Sequence, residues 1–137
     1  MCGYIRVVGP FCLYGAFFRF FYITTMSLPA DVTSKIVQSL MGLNIYKVIL
    51  FGSYARGTAT KDSDIDLVVI LDSDEMSQLF KDRMARRRPV SRSLLEINRQ
   101  YSMDIIVYTK AEFNYLKNRE DFFVQEIEET GKEIYGK

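Results

Sequence analysis

Gly52-Ser53-Tyr54-Ala55-Arg56-Gly57 closes one β-rich run, and ten residues after Ser53 the stretch Ser63-Asp64-Ile65-Asp66-Leu67 opens another. Residues i and i+2 of a strand point the same way, so Asp64 and Asp66 present both carboxylates on one face. Ile65, Leu67, Val68 and Val69 anchor that strand, which keeps the acids from swinging freely into water. Hard divalent cations take oxygen ligands, and Mg²⁺ favours a few carboxylates together with substrate phosphates. A third acid, Asp104, lies in Ser102-Met103-Asp104-Ile105-Ile106-Val107, a strand otherwise made for a core. Three acids on adjacent strands could hold two Mg²⁺ about 4 Å apart, the arrangement that assists in-line phosphoryl or nucleotidyl transfer. Gly52 allows close approach of backbone to a phosphate, and Ser53 offers a hydroxyl and an N–H where a short helix starts. Arg56, one turn along, could reach a triphosphate bidentately, and Gly57 ends the turn.

Each of these residues also has a plainer role. Asp-x-Asp pairs commonly cap or solvate strand ends, and Asp104 could be such a strand-end acid. Arg56 could pair with a surface acid. Ser63 is expected to start its strand through local hydrogen bonds, with a phosphate contact as the alternative. Lys61 reads as a solvated loop lysine. The joint occurrence of the turn, the spaced acid pair and the later strand acid is what favours a site.

Gly-Ser, ten residues, then Asp-x-Asp resembles the signature of the polymerase-β-like nucleotidyltransferase superfamily. The wording GSYARG…SDIDLVV is similar to its minimal, single-domain (MNT) branch. The resemblance runs from Met26 to Gly136, because Phe122-Phe123…Gly131-Lys132-Glu133-Ile134-Tyr135 also looks like that branch's closing helix and short strand. It implies that Gly52 and Ser53 bind the triphosphate, and on their own chemistry Arg56 and Ser63 are added as candidate nucleotide-binding residues. It also implies that Asp64 and Asp66 are ligands shared by two Mg²⁺ (Mn²⁺ being an alternative). Asp104 would then be the third ligand, able to take the proton from the attacking hydroxyl. The activity implied is transfer of a nucleoside monophosphate, AMP from ATP foremost, to an acceptor hydroxyl with release of pyrophosphate. The family setting implies a HEPN-type toxin as partner and acceptor, with this chain as antitoxin in the cytoplasm. A catalytically inactive antitoxin or binding module is one alternative. A small-molecule nucleotidyltransferase acting as a dimer is another.

Outward from the motif, apolar spacing predicts the rest of an α/β (α+β) domain with helices packed on a small mixed sheet. Val32, Ile36, Leu40 and Leu43 predict a helix over 30–43. Strands are expected at 45–51, 65–71 and 103–108. Asp72-Ser73-Asp74 offers a cap for a helix over 75–85, and Pro89 is expected to break or kink the chain before helical spacing resumes over 90–98. Thr109 can cap a helix through Leu116, and 121–130 forms another, stopped by Gly131.

Composition agrees with a single domain. The 137 residues are 48% hydrophobic and 26% charged, enough to bury a core without staples. The absence of histidine removes His-based triads, His general bases and His-ligated zinc. Cys2 and Cys12 lie outside any CxxC spacing and indicate neither metal nor disulfide framework. A net charge of +1 argues against a chain wrapped in nucleic acid along its length.

Local charge is less even. Lys81, Arg83, Arg86, Arg87, Arg88, Arg92 and Arg99 face only Asp82 and Glu96 over 81–99, whereas 119–137 is acidic. A solvated helix face is the first reading of the basic run; an acidic partner protein comes second and RNA third. Tyr101, Tyr108, Phe113, Tyr115, Phe122 and Phe123 fall at core spacings. The domain itself is expected at 26–137, with 1–25 an extension of uncertain role. The apolar stretch of that extension is shorter than the roughly 18 residues of a membrane span, and a dispensable extension is favoured over an interaction segment or an anchor.

Overall fold

The computed structural model describes residues 26–137, so the expectations for 1–25 lie outside the described residues. Ten elements follow in order: α1 (Ala30–Leu40), β1 (Ile45–Phe51), α2 (Gly52–Arg56), β2 (Ile65–Leu71), α3 (Phe80–Ser93), α4 (Leu95–Gln100), β3 (Met103–Thr109), α5 (Lys110–Asn118), α6 (Phe122–Thr130) and β4 (Lys132–Gly136). The four strands form one mixed sheet in the order β3-β2-β1-β4. β1 is antiparallel to β2 and β4, and β2 is parallel to β3. This is the mixed α/β sheet that the sequence predicts.

Both sheet faces are covered, because the strands carry apolar residues on both sides. On one face, Val32, Ile36 and Leu40 of α1 meet Val90, Leu94 and Ile97 over Val48, Leu50, Ile65, Leu67 and Val69. On the other, Phe113 of α5 and Val124 and Ile127 of α6 pack on Ile49, Val68 and Ile70. Each fully buried aliphatic side chain contributes on the order of 1.5–3 kcal/mol. α5 starts with a full capping box between Thr109 and Glu112, and Asp121 caps α6 through the Phe123 and Val124 amides. The Thr109 cap matches the sequence expectation, whereas Asp121, expected within the second helix, stands one residue ahead of it as its cap.

The helix expected over 75–85 is displaced. Residues 72–79 run as an irregular segment and α3 begins only at Phe80. The reason is competition for their backbone and side chains. The Glu75 carbonyl accepts a hydrogen bond from the buried Thr109 hydroxyl at 2.6 Å, the Ser73 carbonyl accepts from the Ala111 amide, and Asp72 is held by Lys137. Pro89 does not break the helix either; α3 continues through it to Ser93, and the interruption falls at Leu94. Pro89 and Ala85, whose carbonyl loses its i+4 donor, both lie on the exposed face, where water can replace the bond.

Candidate active site

The site forms where β1 ends and β2 and β3 begin. Phe51, the last residue of β1, pairs with Asp66, and Asp66 pairs in register with Asp104 on β3. Along β2, Asp66 alternates with buried Ile65 and Leu67 of the first core. It therefore shares its face with Val68 and Ile70 of the second. By the same alternation Asp104 shares a face with Ile106 and Tyr108.

Gly52 makes the close approach possible. Its φ is +68°, a left-handed conformation that favours glycine, and a Cβ there would overlap the Asp66 carboxylate. The chain then enters α2 with Ser53 half-buried, and Gly57 (φ +71°) ends the helix by donating its amide to the Ser53 carbonyl. Gly52 is thus brought against Asp66.

The acids differ from one another more than expected. Asp66 is half-buried, whereas Asp64 lies exposed one residue before β2 rather than within it. The strand starts later because Thr60 and Ser63 close a turn: the Thr60 amide donates to Ser63 Oγ at 2.9 Å and the Ser63 amide to the Thr60 carbonyl at 3.1 Å. Ser63 therefore has the local role, and Lys61 is an exposed turn residue. Asp104 is exposed near the start of β3 rather than embedded in a core. Burial pushes the Asp66 carboxyl above its ordinary range; the charges of Asp104 and Asp64 push the same way, and Arg56 partly offsets them.

The donor chemistry fits a hard divalent cation: oxygen ligands only, mutually repulsive, with a glycine cradle behind the central one. Among the described residues, however, no three acidic, histidine or cysteine side chains converge tightly enough to enclose an ion as they stand.

Arg56 pairs with Glu126 of α6 at 3.6 Å, the surface-acid role left open for it. This pair exposes what the sequence reading missed, which is that α6 forms a wall of the site. Phe123 stacks edge-on against Phe51 with centroids 5.6 Å apart, and a cavity of about 170 Å³ lies between Gly52, Arg56, Phe123 and Glu126. The only sequence signal was the Phe122-Phe123 pair behind the Asp121 cap. Two aromatics depart from core packing: Tyr115 is 48% and Phe122 80% exposed. Among the described residues no helix is long and apolar enough to cross a membrane.

Residues 31–134 match a family model described as a nucleotidyltransferase domain. Two Methanocaldococcus jannaschii proteins, both provisionally named protein adenylyltransferases, are similar. MJ0141 is 29% identical over 102 residues, which cover 73% of this chain and 89% of the relative. MJ1305 is 41% identical over 64 residues, 47% of this chain, and the match spans only 40% of the relative's length. Among solved structures, a crystal structure of a toxin–antitoxin with AMP-PNP is similar with a TM-score of 0.51 and 22% identity. It covers 77% of this chain and 73% of that one, a likeness of fold alone.

Proposed function

The chain belongs to the nucleotidyltransferase domain family, and from that premise we propose that it moves a nucleoside monophosphate from an NTP, ATP foremost, to an acceptor hydroxyl on a partner protein. The observation that carries this reading is the in-register pair Asp66–Asp104 with Gly52 folded against the Asp66 carboxylate. The provisional names of MJ0141 and MJ1305 support protein as acceptor and AMP as the group moved. A toxin partner of HEPN type rests on the resemblance to the minimal branch, to which the toxin–antitoxin neighbour adds likeness of fold.

Asp64, Asp66 and Asp104 would hold Mg²⁺. When bound there, the metal supplies neutralisation of the triphosphate and a lowered pKa for the acceptor hydroxyl. The chain's own residues do the rest. Gly52 and Ser53 bring backbone and hydroxyl donors to the phosphates beside Asp66. Asp104, exposed on the open side of the pair, accepts the proton as the acceptor oxygen bonds to the α-phosphorus. The bond from that phosphorus to the bridging oxygen breaks, and pyrophosphate leaves. Arg56 must exchange Glu126 for phosphate to take part, and their pair, half-exposed on both sides, is weak enough to permit it.

The test is label transfer from [α-³²P]ATP to protein co-purified with the chain, with and without Mg²⁺, and with mass spectrometry of the acceptor. Metal-dependent labelling that Asp66→Asn and Asp104→Asn each abolish is the expected result. Labelling that survives both substitutions would remove the assignment.

A further inference from the structure

A second concavity lies on the sheet face that carries the acids. It measures about 590 Å³ and is lined by Met76, Arg83, Tyr108, Tyr115, Leu116 and Phe123. Tyr108 follows Asp104 by four residues on β3 and so shares its side of the strand. Phe123 in turn touches Phe51, next to Gly52. The groove is thus continuous with the face that carries the site, without including any of its acids.

Its rim is unusually apolar for an exposed surface. Eight large apolar side chains are exposed among the described residues. Met76 (52%) and Tyr115 (48%) line this groove, Leu79 (56%) and Phe122 (80%) adjoin lining residues in the chain, and Phe80 (77%) is exposed at the start of α3. Phe80 stands three residues before Arg83 on α3, hence on the same side of the helix. Clustered exposure of this kind marks an interaction surface.

Charge selects the occupant. Both carboxylates in the lining are already engaged: Glu112 by Arg86 and by the Ser77 and Thr109 amides, Asp121 by the amides at the start of α6. Arg83 has no carboxylate partner among the described residues, giving only its Nε to the Ser77 carbonyl at 3.4 Å. Arg87, one turn on, continues its stripe. α3 as a whole carries Lys81, Arg83, Arg86, Arg87, Arg88 and Arg92 against Asp82 alone. Such a surface complements an acidic protein segment with aromatic anchors. A nucleic-acid strand fits less well, because it needs cations spaced along its phosphates and the groove's lining offers Arg83 alone.

We propose that this groove docks an acidic, aromatic-anchored segment of the partner protein that presents the acceptor hydroxyl. The proposal rests on the transferase reading for the purpose of docking, though binding itself can be measured apart from chemistry.

The probe is a random copolymer of Glu and Tyr, with poly-Glu and poly(U) as comparisons, titrated by fluorescence anisotropy without nucleotide. Wild type should bind the copolymer about tenfold more tightly than either comparison. Tyr115→Ala with Phe80→Ser, both exposed positions, should remove that preference. Arg83→Glu with Arg87→Glu should weaken binding at low salt and flatten its salt dependence. Equal binding of poly-Glu and copolymer, tighter binding of poly(U), or indifference to the four substitutions would each overturn the proposal. Asp104→Asn should bind the copolymer normally. If wild type binds it through the groove yet transfers no label with Mg²⁺ and ATP, docking stands and the transferase reading falls. If label is transferred with a KM that Tyr115→Ala and Phe80→Ser leave unchanged, the reverse holds.

Discussion

Asp66 and Asp104 stand opposite one another in register on the parallel strands β2 and β3, with Asp66 the more buried of the two. The folded chain therefore holds the Asp66 carboxyl above its ordinary range, by burial first and by Asp104 and Asp64 next. A raised acid binds its proton more tightly folded than unfolded, so stability falls as pH rises from the unfolded value to the folded one. Asp66→Asn removes that penalty. It should melt above wild type at pH 7 without metal, and the difference should close as pH falls below about 4. The same variant should lose the Tm gain that wild type shows with Mg²⁺ and a non-hydrolysable ATP analogue. Melting below wild type at neutral pH, with the gain intact, would mean Asp66 is structural.

Gly52 and Gly57 both have positive φ, yet they predict different outcomes. A Cβ at Gly57 meets nothing within 4 Å, whereas one at Gly52 meets the Asp66 carboxylate. Gly57→Ala should cost only the backbone strain, about 1–2 kcal/mol, and keep nucleotide binding. Gly52→Ala should cost that and displace Asp66 as well, abolishing the Mg·nucleotide shift in Tm. Equal effects on nucleotide binding would show that the cradle does not position the acid.

Much of this architecture was legible in sequence because local and global demands agree there. The apolar runs of β1 and β2 admit little but buried strands, and the Thr109-x-x-Glu112 and Asp121 caps are satisfied by nearby backbone amides. Of the motif, the approach of Gly52 to Asp66 is present in the geometry, whereas Asp64 stands exposed ahead of the strand. What failed depends on distant partners. Nothing in 72–79 reveals that Thr109 and Ala111 will claim its carbonyls and delay α3, or that Lys137 will hold Asp72. Nor does Arg56 announce Glu126, seventy residues away on α6. Tyr115 and Phe122 matched core spacing but face solvent, since their helices each bury a single narrow stripe.

The loop between the two halves of the motif is tied down by the segment ahead of α1. The Met26 amide donates to the carbonyl of fully buried Ala59 at 2.8 Å, and Leu28 packs on the first core. A chain beginning at Met26 keeps a donor nitrogen at that point and should unfold cooperatively, close to full length in stability. One beginning at Ala30 loses the bond and the Leu28 contact, at about 1–3 kcal/mol. Urea titration of both distinguishes the cases; equal midpoints would show that the tie is immaterial.

Glu112 is the junction that fixes residues 72–79 against α5. Its Oε1 accepts from Arg86 Nη2 at 2.8 Å and from the Ser77 amide at 3.2 Å, and its Oε2 accepts from the Thr109 amide at 3.1 Å. The ion pair is largely buried, with side-chain exposures of 16% and 11%. Arg86 Nη1 is also buried and lacks a partner, so the arginine is under-satisfied even in the intact pair. Removing the two members should therefore have unequal effects. Glu112→Ala strands a guanidinium and frees the Ser77 and Thr109 amides, which should cost about 3–5 kcal/mol. Arg86→Met replaces the under-satisfied cation with an apolar chain of similar reach, while Glu112 keeps two backbone donors; the cost should stay under about 2 kcal/mol. In the double variant the stranded charge is gone, so its loss should fall well short of the sum of the singles. A double-mutant cycle by urea unfolding reads this directly. Additive losses, or a milder Glu112→Ala than Arg86→Met, would show that Glu112 is not the member on which the junction depends.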